Sequence, residues 1–131
     1  MRMMLARISL VVSGLLFGAF GAWFLLDPAG AAALVEIELK SATARTDFRA
    51  GYGGLNLALG LLLALSARQA GTVRAGLWLQ LTVGLGYGAG RALGIVLEGG
   101  ATSVMYTILA VEVAGAAVAA LLLRTLKGYG Q

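Results

Sequence analysis

The chain alternates long, nearly uncharged apolar runs with polar breaks. Ile8 to Leu26 carries no charge and lies between Arg7 and Asp27. A second run extends from Ala50 to Ala67, bounded by Arg49 and Arg68. The third, Ala75 to Leu97, is interrupted only by Arg91, and the fourth, Val104 to Leu123, only by Glu112. At ~1.5 Å per residue, a helix over each run is long enough to cross a hydrocarbon layer of ~30 Å. The pattern predicts an all-α fold, a single domain over residues 1–131, arranged as a membrane four-helix bundle. Its expected spans are 8–26, 50–67, 75–97 and 104–123, and short breaks between the later spans make neighbours antiparallel. Leu25 to Gly30 and Val96 to Ala101 each end a span with an acid and then turn residues, an echo of two similar hairpins.

The one long break, Pro28 to Asp47, separates the first two spans. Within it Val35 to Lys40 alternates apolar and charged residues, a strand period with no second strand to pair with. It is expected to be an extended or loosely helical cap at headgroup level, with Val35, Ile37 and Leu39 turned toward the helices. Thr43, Thr46 and Asp47 are expected to supply the capping oxygens and negative charge that start the second helix. Arg2, Arg7, Arg68, Arg74, Arg124 and Lys127 fall on one side of the layer. Lys40, Arg45 and Arg49 fall on the other with Asp27, Glu36, Glu38, Asp47 and Glu98. The positive-inside bias then places both termini in the cytoplasm and the long connection outside. The first run exceeds the ~7 to 15 apolar residues of a secretory signal and ends in Asp-Pro, so it is expected to be retained as a span. Trp23, Phe24 and Tyr106 at the outer interface, and Trp78 and Tyr129 at the inner one, are expected to be aromatic anchors.

Composition supports the same class. Hydrophobic residues make up 60% of the chain and charged ones 12%, with a mean hydropathy of +0.89. A soluble domain is about half apolar and a quarter charged, so a water-soluble fold and a disordered chain are both excluded. The formal charge of +4 does not point to nucleic acid, because the ten Lys and Arg are scattered singly between apolar runs. With no Cys and no His, the chain has no disulfide, no thiolate or imidazole ligand, no Cys nucleophile and no His base, and no cofactor or metal is expected. The expected partners are the lipid bilayer, a small apolar ligand or lipid, and a second copy or another membrane protein. Glycines recur at four-residue spacing: Gly14 and Gly18, Gly84 and Gly88, and Gly86, Gly90 and Gly94. Such faces allow close helix approach, within one bundle or between copies.

The few polar residues inside the runs fall at similar depths. Counted from the outer boundary, Glu112 lies ~12 Å deep, and Arg91 and Asn56 ~9 Å deep. Arg49, Tyr52, Gly53, Asn56 and Gly60 share one α-helical face; Gly84, Tyr87, Gly88 and Arg91 share another. An Arg or Glu left in hydrocarbon costs roughly 2.5 to 3.5 kcal/mol. The expected site is therefore an Arg91–Glu112 pair with Asn56 and Tyr52 as hydrogen-bond partners and Arg49 nearer the outer surface. Asp47, Tyr87 and Glu98 are expected outer-face contributors. The cluster reads either as the lining of a ligand cavity or proton pathway, or as an ion pair that fixes helix register.

The run Thr46 to Gly54 (TDFRAGYGG), with Leu26-Asp27-Pro28, Gly90-Arg91 and Glu112, resembles an uncharacterised family of small four-helix integral membrane proteins of bacteria, similar in outline to DoxX-like proteins. The resemblance covers nearly the whole chain and implies a four-helix bundle in the bacterial cytoplasmic membrane. It brings no activity with it. The kinship with DoxX-like proteins hints at respiratory or redox membrane complexes, whose cofactors this chain has no ligands to hold. The expected function is non-enzymatic: binding an apolar or amphipathic ligand, or docking as an accessory subunit, through the outer-half polar cluster. A proton-coupled transporter using Glu112 is the alternative; an enzyme acting on lipid or quinone through Glu112, Tyr52 and Asp47 is less well supported.

Overall fold

The computed structural model describes residues 1–126; Lys127 and Tyr129 lie outside the described residues. Five helices follow one another: α1 (Arg2–Leu26), α2 (Pro28–Ala33), α3 (Ala42–Ser66), α4 (Ala70–Glu98) and α5 (Ser103–Thr125). No strand occurs among the described residues. α1, α3 and α5 are long and apolar enough to cross a membrane. α4 is the longest at 29 residues, but Thr72, Arg74, Gln80, Thr82 and Arg91 dilute it, and it is not among those three.

The breaks are built by local polar chemistry. Asp27 ends α1, and its carboxylate accepts from the Gly30 N–H at 3.0 Å, capping α2 with Pro28 in the first helical position. α4 stops at Gly99, whose φ of 75° is left-handed backbone that suits glycine. The Thr102 hydroxyl then caps α5 by accepting from the Met105 N–H.

The long connection differs from expectation. It contains α2, and α3 begins at Ala42 rather than Ala50. Ser41 is the cap: its backbone is still extended (φ −136°), and its Oγ accepts from the Ala44 N–H at 3.0 Å. A cap must stand where the chain leaves extended geometry, so Thr43, already the second helical residue, and Thr46 and Asp47, more than one turn into the helix, cannot serve. The Thr46 hydroxyl instead donates back to the Ala42 carbonyl. Of the alternating residues, Leu39 packs on a small cluster of Ala31, Ala32 and Phe48, while Ile37 is exposed.

The long helices associate as two antiparallel pairs. In α1/α3, Gly14 and Gly18 face Gly60, and Gly21 faces Leu57, with backbone against backbone. In α4/α5, Gly84 lies against the Glu112 carbonyl and Ala116. The two pairs are joined mainly at the end that carries Arg2 and Arg124, called here the basic end. Ala6, Leu10, Leu63, Ala67, Val73, Leu77, Ala119, Leu123 and Leu126 form one buried core there. Toward the opposite, acidic end, α2 and the first turns of α3 pack on α1 and on each other, and not chiefly on α4 or α5.

Gly86, Gly90 and Gly94 have open space where a Cβ would stand. Alanine at each is expected to be neutral or to stabilise by up to ~1 kcal/mol, because it removes backbone freedom without a clash. Detergent unfolding curves check this. A loss of stability, or of a dimer, would show that the stripe is covered by a second copy.

Candidate functional site

The most highly organised polar contact joins α4 to α5. Gly84 lets the α5 backbone lie flush on α4 at Glu112, so Arg91, about two turns further along the same face, reaches across to its carboxylate. Arg91 Nε donates to Glu112 Oε2 at 3.0 Å and Nη2 to Oε1 at 2.9 Å, the two-pronged geometry that only a guanidinium offers. Both side chains are largely covered, at 21% and 12% exposure. The third nitrogen, Nη1, faces the Met105 thioether sulfur at 2.7 Å, a weak acceptor.

A second polar group lies alongside. Asn56 on α3 is buried, and its Nδ2 donates to the Tyr52 carbonyl one turn back. The Tyr87 hydroxyl of α4 sits beside the Asn56 side chain and within electrostatic reach of Tyr52, Arg91 and Glu112. The Tyr87 ring lies 6.3 Å from that of Phe17 on α1. Tyr87 of α4 thus faces Phe17 on α1 and Asn56 on α3 across the seam between the two pairs.

Arg49 does not join this cluster, and Tyr52 meets it through its carbonyl, with its side chain only within electrostatic reach. Arg49 Nε donates to the Leu25 carbonyl at 3.0 Å, closing the end of α1, and the Tyr52 ring stacks on Phe48 at 4.5 Å with its edge toward Phe24. The cause is a π-helical turn at Arg49–Gly54, where the Leu55 N–H bonds back to the Ala50 carbonyl. Gly60, Asn56 and Gly53 keep α-helical spacing on the buried face, but the next buried residue is Phe48, five positions further back. One extra residue in the turn rotates Arg49 off the face that a regular α-helix would give it. Asn56, for its part, spends its donor on its own helix and does not bond the pair. Asp47 and Glu98 are exposed. Asp47 borders a shallow concavity of about 400 Å³ with Ala42, Thr43, Thr46 and Ala50; a second, of about 80 Å³, lies at Met1, Arg2, Met3 and Leu126. Neither reaches the ion pair.

Two contributors escaped the sequence reading. Gln80 is buried at 5% exposure, donates to the Gly115 carbonyl at 3.0 Å and exchanges hydrogen bonds with Ser9, tying α1, α4 and α5 together. An amide within the 75–97 run was its signal, as it was for Asn56 in its own run. Met105 stands seven residues before Glu112 on the same helix face. No group of three or more acids, His or Cys able to hold a metal occurs among the described residues.

No curated protein and no solved structure matches the chain. The model of a family described as a domain of unknown function (DUF4345) matches residues 5–123, nearly the whole length, and the chain belongs to that family.

Proposed function

We propose that this is a non-enzymatic integral membrane protein of four antiparallel spans, with its basic end in the cytoplasm and Arg91 and Glu112 in the outer half of the bilayer. Its role is to hold a neutral amphipathic molecule that enters sideways between the α1/α3 and α4/α5 pairs. The observation behind this reading is Arg91 Nη1, a strong donor facing only a thioether, on the face of α4 that also carries Tyr87 and toward which packing between the two pairs thins. Because the Arg91–Glu112 pair carries no net charge, it favours a carbonyl or hydroxyl acceptor over an anion. The same pairing counts against the transporter alternative, because both Glu112 oxygens are already engaged by guanidinium N–H groups and are not open to a passing cargo.

The test is extraction of the purified protein and mass spectrometry of what it carries. Wild type is expected to retain one class of neutral amphipath, and Tyr87→Phe to lose most of it, while the helices stay folded. The reversed pair, Arg91→Glu with Glu112→Arg, is expected to keep the α4/α5 contact and lose the ligand. Equal retention by all three would overturn the binding role and leave the pair as a register pin.

A further inference from the structure

The basic end carries five arginines on four separate stretches of chain, and the fold gathers them. Arg7, Arg68, Arg74 and Arg124 each directly follow a member of the buried core: Ala6, Ala67, Val73 and Leu123. Arg2 joins them by donating from Nη1 to the Thr125 carbonyl at 3.4 Å. Each arginine is thus anchored beside a single apolar plug. Of the chain's six acids, Asp27, Glu36, Glu38, Asp47 and Glu98 lie at the other end, and Glu112 is taken by Arg91. Among the described residues none of the five arginines is in an ion pair, and the Arg7 Nε–H is buried without an acceptor. Arg2, Arg68, Arg74 and Arg124 are exposed.

Like charges collected at one end without an acid among the described residues there repel one another, and a buried N–H with no acceptor costs the fold stability. An anion seated at this end relieves both. We propose that the basic end binds anionic phospholipid, with the phosphodiester headgroup received by the arginines and the acyl chains lying along the apolar flanks of α1 and α5. Three observations favour this occupant. All five described side-chain cations there are arginines, whose fork matches phosphate oxygens in pairs. They surround exposed apolar surface, with Met4, Leu5 and Ile8 on α1 and Leu121 on α5, so the bound anion needs an apolar tail. An end dense in arginine beside spans long enough to cross a bilayer lies where headgroups are concentrated. The inference does not depend on the ligand proposed for the ion-pair cluster.

The experiment uses the full chain in neutral maltoside micelles, with phosphatidylglycerol, phosphatidylcholine or inorganic phosphate added, read by native mass spectrometry and by the unfolding midpoint. Wild type is expected to retain phosphatidylglycerol at least tenfold over phosphatidylcholine and to unfold later in its presence. Arg68→Gln with Arg124→Gln, both at exposed positions, is expected to weaken retention by about fivefold per arginine. Arg7→Lys, which keeps the charge but not the fork, is expected to weaken it as well. Arg45→Gln at the acidic end should change nothing. Equal retention of the two lipids, equal loss in Arg45→Gln, or displacement of the lipid by millimolar phosphate would each overturn the proposal.

Discussion

Glu112→Leu is expected to lower stability by about 3 kcal/mol, the cost of stranding a covered charge by removing its partner. Arg91→Leu should cost less. The difference lies in what each orphan can do. A carboxylate left alone in an apolar setting can take up a proton and become neutral, whereas a guanidinium stays charged at any accessible pH. The double variant, Arg91→Leu with Glu112→Leu, is expected to recover most of the loss, because it removes both charges and fills the same space with apolar atoms. Unfolding the purified protein in mixed micelles by raising the dodecyl sulfate fraction would measure all three. Additive losses in the double variant would mean that the two side chains do not stabilise through each other.

Gly60→Ala is the second large effect, expected to cost about 2 kcal/mol, with Gly60→Val worse. A Cβ at this position would stand 2.5 Å from the Gly18 nitrogen and 2.6 Å from the Gly14 oxygen. Both are backbone atoms, which no rotamer change can clear, so α1 and α3 would have to separate along a close backbone contact. Gly51, on the same helix, has open space at its Cβ position and serves as a control, since its alanine variant should cost nothing. If the Gly60→Ala midpoint matched that of Gly51→Ala, the two helices would be further apart than described.

The apolar runs and the pairing of opposite charges could be read from the sequence because each depends on a simple quantity. Span length follows from a fixed rise per residue. Arg91 and Glu112 are each the sole charge in a run, and an isolated charge in an apolar setting needs a partner. The N-terminal face of α3 could not be read, because uniform α-helical spacing does not hold through Arg49–Gly54. A π turn in a glycine-rich stretch leaves no hydrophobic signature and shifts everything on its N-terminal side by one position. The cap of α3 was misplaced for a related reason. Several Ser, Thr and Asp residues between positions 41 and 47 could cap a helix, and only the backbone conformation at Ser41 selects among them. Gln80 gives a fainter signal because an amide carries no charge, although an amide that bridges three helices fixes geometry as firmly as an ion pair.

The apolar plug sits at one extremity of the molecule, and it is there that the two hairpins are mainly joined. Near the other extremity, the Asn56–Tyr87 neighbourhood and the Phe17–Tyr87 ring contact are the links that stand out. Two stiff arms hinged at one end respond to sideways pressure chiefly at their tips. A change in lateral tension of the surrounding lipid would thus widen or narrow the distance from Asn56 to Arg91 while leaving Leu10, Leu63 and Leu77 in place, much as tongs open without disturbing their rivet.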